Sequence, residues 1–318
     1  MSDKHDDLSQ QIEDLKKQNA ELRKQIEEYK RPKETNRQYK DRLFKYIFGN
    51  PEKKEWALSL YNAMNGTNYT NPDELEFNTI GEAVYMGMKN DVSFLISSEM
   101  NLWEQQSTFN PNMPMWMFFY AAKLYDKYTQ ASDYYIYSST LQKISKPVCV
   151  CFYNGTQEQP ERQILRLSDA YDGDGDIEVK VTMLNINYGK NKKLVEACKQ
   201  LSEYAWLVDA VRRNQSNEMN LDAAVDNALQ EMSDSFSIKS FLLGNRAEVK
   251  SMLITEYNEQ KEFAKERQEG SSERAIRMAI TMIKNGEPDS KIVLYTELPE
   301  SEVSSLRKSV GQKEPAMA

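Results

Sequence analysis

The sequence predicts an α/β chain, and three stretches predict it. Residues 75–106 lose helical period and read as successive strands, a meander of three. Residues 113–129 (MPMWMFFYAAKLYDKYT) return to helical spacing and lead into an apolar strand at 147–153. A further strand within EVKVTMLNINYG (178–189) is followed by helices across about 191–213, 220–233 and 245–267, with Gly270 closing that body. Strands alternating with helices in this way give a central sheet flanked by helices.

Ahead of this body, Leu8, Ile12, Leu15, Asn19, Leu22, Ile26 and Tyr29 alternate spacings of four and three, which is a coiled-coil seam over residues 1–33. Isoleucine at a with leucine at d favours two parallel strands, and the single Asn19 at a enforces register. Lys16, Arg23 and Lys30 occupy the e positions while Gln11, Gln18 and Gln25 occupy g, so parallel pairing is again favoured. A parallel homodimer is the expectation, beside the simpler reading of a solvated amphipathic helix. Arg31-Pro32 ends the helix. Two short helices follow, 37–48 with Leu43, Phe44, Ile47 and Phe48 inward, and about 52–64 ending at Asn65-Gly66. The tail, 271–312, reads as three helices: SERAIRMAITMIKNG, DSKIVLYTEL and PESEVSSLRKSV.

Composition excludes several chemistries. The 318 residues, 40% of them hydrophobic and 28% charged, describe a large folded domain with appended pieces, and no apolar run approaches the ~18 residues of a membrane span. The polar N-terminus carries no secretion signal, so a cytoplasmic protein is expected. Cys149, Cys151 and Cys198 are an odd number without CxxC spacing and read as reduced core thiols. The single histidine, His5, sits in a polar tail, which removes Ser-His-Asp, Cys-His and His-rich zinc chemistry. A hydrolase here needs carboxylates, lysine and a hard metal. The net charge of -8 weighs against a nucleic-acid partner, although Lys190, Lys192, Lys193, Lys199, Arg212 and Arg213 offer a local basic track.

The informative segment is NDVSFLISSEMNLWEQQS, residues 90–107. Pairing symmetric about Ser97-Ser98 sets Ile96 opposite Glu99 and Asp91 opposite Glu104, with Cβ atoms about 5 Å apart on one face. Gln106 shares that face. Ser-Ser is not a favoured type I′ pair, so a four-residue loop of the same register is expected. Facing carboxylates repel unless a cation or proton lies between them, and Mg²⁺ is the natural occupant. Gln106 is no base, but its amide can hold a water. By spacing alone, the charged face of an ordinary hairpin accounts for these residues as well.

Asp91, then twelve residues, then Glu104-x-Gln106, preceded by a D-x-x-F-K-x-x-F helix (Asp41, Phe44, Lys45, Phe48), resembles the PD-(D/E)XK nuclease family of recombination-promoting nucleases and transposases. NDVSFLISSEMNLWEQQSTFNPNMP, CFYNGTQEQPERQILRLSDAY and VTMLNINYG are similar to the same family, and the resemblance runs from about residue 37 to 310. It implies a restriction-endonuclease-like core over 37–268, with a mixed central sheet flanked by helices, and a small helix-turn-helix-like module over 271–312. It also implies Mg²⁺-dependent (or Mn²⁺-dependent) cleavage of DNA. Asp91 and Glu104 would hold the metal with the Gln105 carbonyl as third ligand, Gln106 would orient water, and Asp41 is a weaker candidate beside a capping role.

Two departures stand out. Trp116 occupies the position after Met113-Pro114 where the family usually places arginine, and Trp neither binds phosphate nor pairs with a carboxylate. Thr296-Glu297-Leu298 replaces the family's T-G-L turn. A catalytically degenerate DNA- or protein-binding dimer, and a regulatory dimer working through its coiled coil, are therefore the alternatives to an active nuclease. Asp172, Asp174 and Asp176 mimic an EF-hand start but lack its glycine and terminal glutamate, and read as a solvated turn. The methionines at 113, 115 and 117, with Phe118, Phe119, Tyr204 and Trp206, read as helix packing.

Overall fold

A computed structural model of the chain describes residues 42–78, 91–131, 134–217 and 219–311. The chain divides into two compact units, Met1–Lys40 and Asp41–Ala318, and the described residues belong to the second. The coiled-coil stretch 1–33 and Asp41 lie outside the described residues.

Helix α1 (Leu43–Phe48) buries Leu43, Phe44, Ile47 and Phe48, and it stops at Gly49, whose N–H returns to the Lys45 carbonyl at 2.7 Å. A Cβ at that glycine would meet the same carbonyl oxygen at 2.7 Å, so only glycine fits the approach. Helix α2 (Lys54–Asn65) ends on Gly66 at φ 64, the left-handed cap that glycine adopts at least cost. Strands β1 (Glu76–Phe77), β2 (Val92–Ile96) and β3 (Glu99–Gln106) follow as antiparallel neighbours. Helix α3 (Met113–Ala131) then crosses to β4 (Lys146–Tyr153), which lies parallel to β3. Strands β5 (Arg162–Arg166) and β6 (Lys180–Asn185) complete a mixed sheet of order β1-β2-β3-β4-β6-β5, with β6 parallel to β4 and β5 antiparallel on the edge.

The sheet has helices on both faces, as the alternation of strands and helices predicts. On one face Trp103, Val150 and Phe152 pack against α1 and α2, α5 (Lys199–Ser216), α6 (Leu221–Glu231) and the first turns of α8 (Arg246–Lys284). The rings of Phe44 and Phe152 lie 4.8 Å apart at the centre of this layer, with Tyr204 edge-on at 5.8 Å from Phe44. On the other face Leu102, Cys149, Cys151, Tyr153 and Met183 meet Met113, Met117, Tyr120 and Leu124 of α3. Met115 and Phe119 of that helix point outward, so only part of the Met-rich run is core. Trp116 packs half-buried against this second layer.

Several elements differ from the sequence reading. The expected helix over 191–213 is two pieces, α4 (Lys192–Ala197) and α5, broken at Cys198, which is extended at φ -121 and ψ 101. A short α7 (Lys239–Gly244) precedes α8. Strand β5 was not expected; it is an edge strand with mostly exposed side chains, so the sequence carries little apolar alternation there. Helix α8 is continuous over 39 residues, through Gly270. One helical glycine costs about 1 kcal/mol relative to alanine, and strong helix formers on both sides offset it. The last turns of α8 with α9 (Asp289–Thr296) and α10 (Glu300–Gly311) share a small core of Ala279, Ile283, Ile292, Leu298 and Val303.

Candidate functional site

The hairpin register predicted from symmetry is the one observed, with Ile96 opposite Glu99 and Val92 opposite Trp103, so Asp91 continues the ladder toward Glu104. The connecting loop is shorter than expected: Ser97 and Ser98 alone form it, with Ser97 at φ 54. A positive φ at the first turn position only is the pattern of a type II′ turn. Pairing along both strands outweighs the local cost of placing serine there, of order 1 kcal/mol.

Asp91, Glu104, Gln105 and Gln106 are all buried at the open end of this hairpin. Each backbone step of the hairpin locks a carboxylate of the other strand. The Gln105 N–H donates to Asp91 Oδ2 at 2.8 Å, and the Asp91 N–H donates to Glu104 Oε2 at 3.3 Å. The Gln106 side-chain amide donates from Nε2 to Glu104 Oε1 at 3.2 Å, and the carbonyl oxygen of the same amide is an acceptor. Burial and the neighbouring Asp91 push the Glu104 carboxyl well above the ordinary carboxylate range, against the opposing pull of Arg42.

Arg42, the residue just before α1, enters the same cluster. Its Nη1 donates to the Gln105 carbonyl oxygen, and its Nη2 lies 3.8 Å from Glu259 Oε2 of α8. Burial works against its charge, but Asp91, Glu104, Glu256 and Glu259 outweigh burial and raise its pKa further. A second layer lies behind. Gln105 Nε2 donates to Asn154 Oδ1 at 2.7 Å and to Glu256 Oε1 at 3.2 Å, while Asn154 Nδ2 donates to the Tyr204 hydroxyl at 2.9 Å. Arg212 donates to the Asn154 carbonyl and, at 2.6 Å, to Asn187 Oδ1. The buried Gln105 Oε1 and Glu256 Oε2 have no hydrogen-bond partner among the described residues. Burial raises the Glu256 carboxyl as well, with Arg42 pulling the other way.

Two carboxylates and the Gln105 carbonyl are hard oxygen donors, the class that Mg²⁺ takes. Among the described residues no group of three His, Cys, Asp or Glu side chains is placed to hold a metal, and the further oxygens these residues offer at the pair are main-chain and amide oxygens. The donor chemistry fits a divalent ion, and the raised pKa of Glu104 marks a pair that a cation would relieve. The carbonyl proposed as third ligand already accepts from Arg42.

Arg42, Glu256, Asn154, Tyr204 and Arg212 were not singled out as site residues from the sequence. Glu256 had a signal: Val249, Met252, Leu253 and Tyr257 mark the buried stripe of α8, and Glu256 interrupts it with a charge. Of the basic residues singled out, Arg212 turns inward, while Arg213 and Lys199 stay exposed, Arg213 paired with Asp209 at 2.9 Å and Lys199 bound to the Ser235 carbonyl at 2.8 Å. Lys192 and Lys193 remain exposed, as do Asp172, Asp174 and Asp176. No helix among the described residues is long and apolar enough to cross a membrane. Comparison with family models, with curated proteins and with solved structures finds no match to the chain.

Proposed function

We propose that the chain is a Mg²⁺-dependent DNA endonuclease of the recombination-promoting, transposase-like kind, with Asp91, Glu104 and Gln106 at its centre. One observation carries the reading: two carboxylates from opposing strands and a glutamine amide are linked within a single buried cluster, by bonds of 2.8, 3.2 and 3.3 Å. The resemblance of the hairpin and the D-x-x-F-K helix to the PD-(D/E)XK nucleases supports the same assignment.

In this reading Asp91 and Glu104 hold Mg²⁺, which Mn²⁺ can replace. The ion, when bound, supplies Lewis acidity to a phosphoryl oxygen and lowers the pKa of water. Glu104 is fixed by the Gln106 amide and the Asp91 N–H, so its two oxygens keep their directions. The Gln106 carbonyl oxygen accepts a hydrogen bond from the attacking water and orients it. Water adds to phosphorus and gives up a proton to solvent, the phosphorus–oxygen ester bond breaks, and the leaving alkoxide takes a proton back from solvent. Pairing of two chains through the coiled coil would bring two such sites to one duplex.

Arg42 favours a second reading, a catalytically silent family member that binds DNA or a protein as a dimer. A guanidinium already supplies positive charge to the two carboxylates and holds the Gln105 carbonyl. Cleavage of supercoiled plasmid by the purified full chain separates the two. Nicking or linearisation in Mg²⁺ or Mn²⁺ that is lost in Asp91→Ala and Glu104→Ala supports the nuclease. Intact plasmid at every metal concentration, from protein with unchanged circular dichroism, supports the silent binder.

A further inference from the structure

We propose that Arg42 is a built-in counter-ion of the Asp91–Glu104 pair that competes with a divalent cation for it, and so sets how much free metal the site needs. The inference rests on the reading that this pair takes such a cation.

The position of Arg42 is the first argument. It is the N-cap of α1, where a helix presents partial positive charge and disfavours a cation, and its side chain makes no capping bond. The helix therefore gives arginine no reason to be there, whereas the acid cluster does. Its side chain is 16% exposed, donates to the Gln105 carbonyl and reaches Glu259. Guanidinium stays charged at any pH the protein survives, so this cation cannot leave by losing its proton.

Competition follows from charge. Asp91, Glu104 and the Gln105 carbonyl are the oxygens available to an ion on this hairpin, and Arg42 acts on all three, on the carbonyl by hydrogen bond and on the two carboxylates through its charge. A divalent ion at the pair would meet a fixed positive charge in a buried, weakly screened setting, where like charges a few ångströms apart interact strongly. Glu256 and Glu259 on α8 provide the alternative partners toward which Arg42 can lean when an ion arrives, since both already lie within its electrostatic reach. Arg42 thus has a resting place on either side of the exchange.

The test is Mn²⁺ binding by the full chain, read as loss of the free-ion electron paramagnetic resonance signal and independent of any DNA cleavage. Arg42→Gln removes the charge but keeps an amide that can donate to the Gln105 carbonyl. Arg42→Lys keeps the charge and guards against loss of fold in the neutral variant. The expected result is binding about tenfold or more tighter in Arg42→Gln than in the wild type, with Arg42→Lys close to the wild type. Equal binding by all three chains overturns the competition while leaving the divalent site standing. Weaker binding in Arg42→Gln overturns it too, and makes Arg42 an organiser of the ligands. No Mn²⁺ binding by any of the folded chains removes the divalent site itself, and the proposal with it.

Discussion

The Gln105 side-chain amide donates to Glu256 Oε1 at 3.2 Å across 151 residues of sequence. Gln105 lies between the two β3 residues that make the candidate site, so the long helix α8 is bonded to the strand at the place where Glu104 and Gln106 depart. The carboxyls of Glu104 and Glu256 both sit above their ordinary value of 4.5, because each is buried.

That direction fixes how stability responds to pH. A carboxyl raised on folding contributes its full stabilisation below the unfolded pKa and loses it as pH climbs through the folded one. Glu104→Gln keeps the shape of the protonated form and cannot ionise. In chelator, its urea midpoint should match the wild type near pH 4 and exceed it by a margin that opens as pH rises above 4.5. A constant gap across that range would mean that Glu104 does not titrate on unfolding as described.

The cysteines offer a check on the core. Burial pushes Cys149 up to about 12, while Cys151 is raised by burial and then by Glu104 and Asp91; Cys198 is raised by burial too. Only the thiolate reacts. Alkylation at pH 8 should therefore be slow for the native chain and rapid for all three thiols in urea, read by mass spectrometry.

At the end of α9, Glu297 occupies the left-handed region at φ 58, the position that glycine fills in the resembling T-G-L turn. A residue with a Cβ pays roughly 1 kcal/mol there, partly offset by the greater unfolded freedom of glycine. Glu297→Gly should stabilise the small C-terminal core by up to about 0.5 kcal/mol, seen as slower hydrogen exchange in α9 and α10 with little change in the sheet.

For the coiled coil, Asn19→Leu removes the buried amide expected to hold a parallel dimer in register. Light scattering should report a changed oligomeric state for the full chain. An unchanged mass would mean that the heptad stretch is not what pairs the chains.

The hairpin was legible because its signal is local: alternation on two strands and a short turn fix which side chains face each other, and Asp91 and Glu104 followed. Ser97 was misread for the opposite reason, since propensity at two residues is overruled by five paired positions behind them. Gly270 was read as a stop because glycine is a poor helix former, yet tertiary packing at both ends of α8 carries the helix across it. Arg42 and Glu256 stayed hidden because their partners lie far away in sequence, and no spacing rule connects residue 42 or 256 to residue 105. Only the break in the apolar stripe of α8 advertised Glu256.

Unbroken over 39 residues, α8 is roughly 58 Å long at 1.5 Å per residue. It behaves as an axle fixed near one end by Glu256 and carrying a cog of three packed helices at the other. Inserting one alanine beside Gly270 would turn that cog by about 100° and advance it by about 1.5 Å without touching any bond at Gln105. Whatever surface α9 and α10 present is thus phased to the hairpin by helical pitch, and its bearing relative to the carboxylates is written in the number of residues between them.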